Sequence, residues 1–171
     1  TVIFPFRFYS LMFIIKSNVS EKYDFQTSME KAGRFFAEKQ NYVELMPNLQ
    51  SIQTDNRGVT HWHIAVDVPL IGSWKMAFAV DFLAADDIIE WYPSSSEKQN
   101  FLRCVTQLVE KTDGITEVRI THNLELRRQN AKDFHLLAGM AGESMISAEM
   151  QTAVAGMLKT FMQKAKERLE K

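Results

Sequence analysis

The residue best placed for chemistry is His122, because it interrupts an otherwise apolar row. In the segment 115–128, Val118, Ile120 and Leu124 share its parity, and alternate residues of a strand lie on one face. An imidazole on a buried face needs a hydrogen-bond partner from the protein or from a ligand. His122 is therefore a candidate ligand contact and, in an enzyme, a candidate acid or base. A satisfied core histidine is the alternative.

The groups that face His122 depend on the hairpin at Asp113 and Gly114. A turn with two central residues places Arg103 and Gln107 on the same face as His122, which makes Arg103 a second candidate ligand contact. A three-residue loop with a bulge at Gly114 turns the opposite residues of the preceding strand inward. These are Leu102, Cys104, Thr106 and Leu108. The sequence leaves both registers open.

Other reactive residue types give weaker signals. His61 and His63 share one strand face, but no third ligand accompanies them, so we predict a solvent face and no metal site. Cys104 is the single cysteine and lacks a neighbouring base, which is typical of an inert packing residue. Glycine-rich phosphate loops and nucleophile elbows are absent from the sequence. We therefore expect neither a metal nor a cofactor.

The elements that position these residues follow from the spacing of apolar side chains. Alternation predicts a long first strand over 13–27, and the spacing from Thr27 to Glu30 predicts a capped short helix. A second short helix is predicted from Tyr42 to Met46, since the following Pro47 disfavours helical geometry. Six antiparallel strands are then predicted near 49–55, 59–67, 74–83, 88–92, 100–111 and 115–128.

The last segment changes to helical spacing and predicts one long amphipathic helix from Met145 or Ile146 to Leu169. A single helix has one apolar stripe, and a strongly curved seven-stranded sheet offers more apolar surface than that stripe covers. A small apolar molecule could fill the gap, and a dry core is the alternative. The candidate lining residues are Trp62, Trp74, Met76, Phe78, Trp91, Met150, Val154 and Met157.

Three segments carry a resemblance to the START-like superfamily, also called SRPBCC, across residues 13–170. They are Ser28–Ala37 leading to Leu45–Leu49, Asp86–Trp91, and Asp113–Thr116. The resemblance implies an α+β helix-grip fold, in which a seven-stranded curved antiparallel sheet wraps a long C-terminal helix. It also implies a cavity for a hydrophobic or amphipathic molecule, as in polyketide cyclases, coenzyme Q-binding proteins and birch-pollen allergens. The histidine pair and aspartate of the Rieske oxygenase iron site are missing here.

Composition excludes several classes of protein. The 171 residues include 20 Lys and Arg against 21 Asp and Glu, without the positive excess that nucleic-acid binding favours. One cysteine forms no intrachain disulfide, so we expect a reducing, cytoplasmic location. Residues 1–12 are predicted to be an N-terminal extension whose apolar run is interrupted by Pro5 and Arg7, with no membrane span. Residues 13–171 are predicted to form a single domain, and a homodimer stays open.

The sequence favours sequestration of a small lipid-, quinone- or polyketide-like ligand between the sheet and the last helix. The first alternative is a cyclase or dehydratase that uses His122 as acid or base. The second is a protein-interaction or assembly module with a filled core. Fold and function are only loosely tied, so the resemblance does not decide among them.

Overall fold

The computed structural model describes residues 12–69 and 72–171, and most of the predicted extension lies outside them. The strands are β1 (Phe13–Phe25), β2 (Leu49–Thr54), β3 (Thr60–Val68), β4 (Gly72–Ala84), β5 (Ile88–Pro93), β6 (Asn100–Thr112) and β7 (Ile115–Arg128). The α-helices are α1 (Met29–Ala37), α2 (Lys39–Leu45), α3 (Ala138–Ala141) and α4 (Glu143–Leu169), and a 3-10 turn covers Ala131–Asp133. This order confirms the predicted α+β helix-grip architecture.

The seven strands form one antiparallel sheet in the order β1-β7-β6-β5-β4-β3-β2. Each strand from β2 onward pairs with its neighbour in sequence, as short hairpin connections dictate, while β1 pairs with β7. Alternate residues face inward, and α4 packs along β1 and reaches β3 on this side. The buried core therefore lies between one face of the sheet and α4. None of the helices in the described residues is long and apolar enough to cross a membrane.

Capping side chains fix where the two short helices α1 and α2 begin. Strand β1 ends at Phe25, two residues before its predicted end, and the cap of α1 is Ser28, whose hydroxyl accepts from the Lys31 N–H at 3.2 Å. Helix α2 begins at Lys39, earlier than predicted, because the Glu38 carboxylate accepts from the Gln40 N–H. Side-chain caps, which apolar spacing does not reveal, set these boundaries.

Helix α4 covers the free edge of β1 with side chains that take the place of a neighbouring strand. Four helical residues rise about 6 Å, close to the roughly 6.8 Å of two strand residues, so every fourth helix residue meets every second backbone N–H. Glu143, Ser147 and Gln151 accept from the N–H groups of Ile14, Lys16 and Asn18 at 2.7, 3.1 and 2.8 Å. The long helix is thereby held in register with the sheet edge.

The β6–β7 hairpin combines features of both predicted registers. Thr112 pairs with Ile115, so the turn has two central residues, but the ladder shifts between Glu110 and Thr112. The extra residue at this bulge exchanges the two faces of β6. Cys104 consequently lies opposite His122, and the facing set is the second of the two predicted.

Candidate functional site

His122 lies on the inner face of the sheet, on the second strand from the β1 edge, between Val19 of β1 and Cys104 of β6. Its side chain has no exposed surface, and neither ring nitrogen has a hydrogen-bond partner among the described residues. Burial lowers the pKa of His122 from the ordinary value of 6.5 to about 4. At neutral pH the ring is therefore uncharged, with one N–H donor and one acceptor nitrogen.

Five buried residues share this lack of partners, and we call them the polar cluster. The unpartnered atoms are Ser17 Oγ, Trp62 Nε1, Trp91 Nε1, Thr106 Oγ1, His122 Nδ1 and His122 Nε2. More than nine-tenths of buried polar groups in folded proteins are hydrogen-bonded. Native proteins leave a few such groups per 100 residues. These six atoms are notable because they belong to one sheet, and each unpaired group costs about 1–3 kcal/mol.

Strand register brings the polar cluster together on the inner face. The cross-strand partners of His122 and Leu124 are Val19 and Ser17, which makes Ser17 a diagonal neighbour of His122. Thr106 is diagonal to His122 on the other side. Diagonal neighbours lie about 7–8 Å apart, within reach of one bound molecule.

The tryptophans extend the polar cluster across the remaining strands. Trp91 of β5 pairs with Cys104, and its ring centre lies 5.5 Å from that of Trp62 on β3. The Tyr42 ring of α2 lies 5.5 Å from Trp62 and stacks on Phe161 of α4 at 4.9 Å. One side of the polar cluster is therefore a wall of aromatic rings.

The acidic groups beside this wall stay protonated. The Tyr42 hydroxyl donates to the Phe36 carbonyl at 2.8 Å. Burial raises the pKa of Tyr42 far above its ordinary value, and the Thr106 hydroxyl and the Trp91 indole N–H, which lie beside the Tyr42 oxygen without meeting hydrogen-bond geometry, act in the opposite direction. Burial raises the pKa of Cys104 to about 12. Since a thiol reacts as its thiolate, Cys104 is not a nucleophile at neutral pH.

Most of the predicted lining residues lie on the inner face or on the facing stripe of α4. The buried ones besides Trp62, Trp91 and His122 are Met76, Phe78, Met150, Val154 and Met157. Trp74 is only partly buried, and its ring packs against Phe134 at a centroid distance of 3.8 Å. Of the two alternatives for the first residue of the helix stripe, Met145 is 49% exposed and Ile146 is buried.

Arg103 lies on the outer face of the sheet, and this corrects its predicted place beside His122. Its Nε donates to Glu90 Oε1 at 2.6 Å. The bulge in β6 is the reason, because a shift of one residue turns every side chain before it to the opposite face. The structure thus supplies no arginine to the polar cluster.

The two histidines of β3 lie on the outer face and have polar partners of their own. His61 Nε2 lies 2.9 Å from Asp55 Oδ2, and His63 Nδ1 lies 3.1 Å from Ser51 Oγ. In the part of the chain that the structure describes, no three His, Cys, Asp or Glu side chains come together as a metal site requires.

Sequence reasoning missed Ser17 and Tyr42, and it included Thr106 only in one of two registers. A signal for Ser17 existed, because it lies between Ile15 and Val19 on the apolar parity of β1. Thr106 likewise lies between the buried Cys104 and Leu108. A polar residue on an apolar parity is the pattern that also identified His122.

The chemistry open to the polar cluster is hydrogen bonding to an uncharged or weakly polar group. The buried polar side chains of the described residues are Ser, Thr and His, with no Asp, Glu, Lys or Arg among them. His122 therefore lacks the carboxylate that orients a typical catalytic imidazole. Trp62, Phe78 and His122 have no exposed surface, so the polar cluster is closed to bulk solvent.

No protein-family sequence model matches the chain, and no curated protein matches it in sequence. Similarity to solved structures is nevertheless extensive. The di-domain ARO/CYC BexL, from the BE-7585A biosynthetic pathway, is similar over 92% of this chain, with a TM-score of 0.62 and 12% identity. This chain spans about half of that protein, 51% of its length.

Two other structures match over nearly their whole lengths. The Zhui aromatase/cyclase from Streptomyces sp. R1128 has a TM-score of 0.56 and 16% identity, covering 90% of this chain and 95% of that one. A START superfamily protein from Mycobacterium smegmatis has a TM-score of 0.55 and 14% identity, covering 90% and 97%. At these identities the likeness establishes architecture alone: the chain has the helix-grip fold of the START-like superfamily.

Proposed function

We propose that the protein binds a small hydrophobic or amphipathic molecule between the sheet and α4, with its polar group at the polar cluster. The observation that carries this proposal is the set of six buried, unpartnered polar atoms. Apolar burial at about 25 cal/mol per Å² supplies most of the binding free energy, and hydrogen bonds to the polar cluster orient the molecule. The mechanism is sequestration.

The molecule enters by displacing side chains that close the interior. Met150 and Met157 of α4 face the sheet and are 0% and 3% exposed. Methionine side chains are unbranched and flexible, so they adapt to an irregular guest at small cost. A closed interior also fits an assembly module with a filled core. In such a core, however, the unpaired polar atoms would be destabilising with no functional gain.

A cyclase or dehydratase activity is the second candidate, favoured by the aromatase/cyclases among the similar structures. In that case His122 would exchange protons with the bound molecule. A catalytic base works best with a pKa near the operating pH, whereas burial holds the pKa of His122 at about 4. Binding without turnover is therefore the function that the geometry supports better.

The test begins with native mass spectrometry of the protein purified from its own host, which should show a co-purifying small molecule. That molecule is then extracted, identified and titrated into stripped wild-type protein, His122→Ala and the outer-face control His63→Ala. Loss of affinity in His122→Ala alone supports a carrier. Retained affinity with lost turnover supports the enzyme, and a protein that carries and rebinds nothing overturns both.

Other properties follow from the sequence and stay predictions. A cytoplasmic location rests on the single, buried Cys104. A single domain over residues 13–171 is predicted, and a homodimer stays open. Fractionation of the host cell and sedimentation of the purified protein test the location and the oligomeric state.

A further inference from the structure

We infer that the bound molecule is an uncharged ring compound with carbonyl or ether oxygens, and that the indole N–H groups of Trp62 and Trp91 select it. This inference rests on the proposed function, because it names the class of molecule for the same site. Trp62 and Trp91 are buried like ordinary core residues, and the inference gives their N–H groups a role in ligand specificity.

The hydrogen-bonding capacity of the polar cluster is weighted toward donors. An indole N–H can only donate, so Trp62 and Trp91 each require an acceptor. Neutral His122 offers one donor and one acceptor, while the hydroxyls of Ser17 and Thr106 can serve in either role. Three N–H groups, those of Trp62, Trp91 and His122, can only donate, and one atom, the unprotonated nitrogen of His122, can only accept. The guest should therefore bring more acceptor lone pairs than donors. A ketone, quinone or ether fits this balance better than a polyol.

Charge excludes the common anionic lipids. A buried carboxylate or phosphate is costly unless a cation or several hydrogen bonds accompany it. The polar cluster contains no Lys or Arg, and Arg103 is on the opposite face, bound to Glu90. His122 supplies no positive charge either, because burial lowers its pKa to about 4. For fatty acids and phospholipids, the free-energy cost of desolvating the charged group would thus exceed the interaction free energy that the polar cluster supplies.

Shape favours a flat guest. The rings of Trp62 and Trp91 meet edge to face at 5.5 Å, and Tyr42 contacts both, at 5.5 and 6.5 Å. Aromatic rings in such arrangements offer faces and edges to another ring, with additional stabilisation beyond apolar burial. Because these rings already contact one another, a flat guest would lie against this wall rather than between its rings.

Three probes of one shape test the inference: 2-acetylnaphthalene, its hydrocarbon analogue 2-ethylnaphthalene, and the anion 2-naphthoate. Calorimetry on wild type, Trp62→Phe and Trp91→Phe separates the N–H contribution from ring packing. We expect each variant to weaken the ketone about ten-fold, the value of one hydrogen bond from an otherwise unpaired buried donor. The hydrocarbon should change less than three-fold, and naphthoate should bind most weakly.

Nuclear magnetic resonance of wild-type protein gives a second measurement that does not depend on the variants folding. The three indole N–H signals belong to Trp62, Trp74 and Trp91. The ketone should move the Trp62 and Trp91 signals downfield relative to the hydrocarbon, with Trp74 as the internal reference. Naphthoate that binds as tightly as the ketone, or indole signals that respond equally to ketone and hydrocarbon, overturns the inference and leaves the proposed function standing.

The remaining outcomes separate the two proposals. If the molecule that co-purifies with the protein is anionic, the inference fails while binding is upheld. If no probe binds and nothing co-purifies, the proposed function fails and the inference fails with it.

Discussion

The interior has two regions that are equally buried but differ in how their polar groups are paired. At the closing end, formed by α1, α2 and the adjoining ends of β1 and β7, the buried Thr116 and Tyr42 hydroxyls both have partners. The Thr116 hydroxyl donates to the Thr27 carbonyl at 2.8 Å. Tyr42 borders both regions, since its ring contacts Trp62 and its hydroxyl donates to the Phe36 carbonyl of α1 at 2.8 Å. In the centre of the sheet, Thr106 is just as buried and has none.

Burial alone therefore does not explain why the groups of the polar cluster lack hydrogen-bond partners. The same chain pairs its buried hydroxyls where α1 and α2 meet the sheet, as folded proteins generally do. Unpaired groups are concentrated where a guest would lie. We therefore expect substitutions at the closing end to change stability most, and substitutions in the centre to change ligand recognition most.

The largest effect is expected at the closing end, from Phe161→Ala. Phe161 is fully buried, stacks on Tyr42 and lies 6.0 Å from the Phe36 ring. Truncating a buried Phe removes its apolar contacts and leaves a cavity, so the free energy of unfolding should fall by about 3–5 kcal/mol. Urea denaturation measures this change. Phe82→Ala is the control, since Phe82 is 41% exposed. Its free energy of unfolding should fall by roughly 2 kcal/mol at most.

The second effect comes from protonation of His122 and appears as a pH dependence of stability. Its pKa is about 4 when folded and 6.5 when unfolded, so between these values the unfolded chain binds more protons. The contribution of this group to the free energy of unfolding has its full value above pH 6.5. It falls by about 3 kcal/mol as the pH drops to 4. Denaturation curves of wild type and His122→Gln, compared from pH 7 to 4, isolate the contribution. Parallel pH profiles would show that His122 is not a buried, unpaired imidazole.

The two buried threonines provide a sharper contrast of smaller size. Thr116→Val leaves the Thr27 carbonyl without its donor and should destabilise the protein by about 1–3 kcal/mol. Thr106→Val replaces an unpaired hydroxyl with a methyl group of similar volume, so stability should stay constant or rise. Thermal and urea unfolding of both variants decide the matter. An equal loss in the two would mean that Thr106 is paired in solution and that the division between the regions is wrong.

The architecture could be predicted from the sequence, because period-two and helical spacing are local properties. The antiparallel run from β2 to β7, the long last helix and the inner face of β7 follow from such patterns, whereas the wrapping of the sheet around the helix is implied by the resemblance to the START-like superfamily. The register of β6 could not be predicted, since it depends on one extra residue between Glu110 and Thr112. That single bulge decides whether Arg103 or Cys104 faces His122.

The polar cluster could be predicted only in part. His122 and Ser17 are visible as polar residues on an apolar parity, whereas Trp62 and Trp91 look like ordinary core residues. That their N–H groups lack acceptors is a property of the tertiary packing, which brings residues of five strands into the polar cluster. Sequence patterns identify which face a side chain occupies, but they do not show what lies opposite it.

The smallest effect tests whether pairing at the edge of β1 belongs with the closing end as a stabilising feature. Gln151 forms two bonds with the Asn18 backbone, accepting from its N–H at 2.8 Å and donating to its carbonyl at 2.7 Å. Gln151→Ala should cost about 1 kcal/mol and speed exchange of the Asn18 amide proton. Thr152→Ala is the control, because the Thr152 hydroxyl bonds only to the Ala148 carbonyl of its own helix. Unchanged exchange in Gln151→Ala would mean that the two Gln151 bonds do not protect the β1 edge in solution.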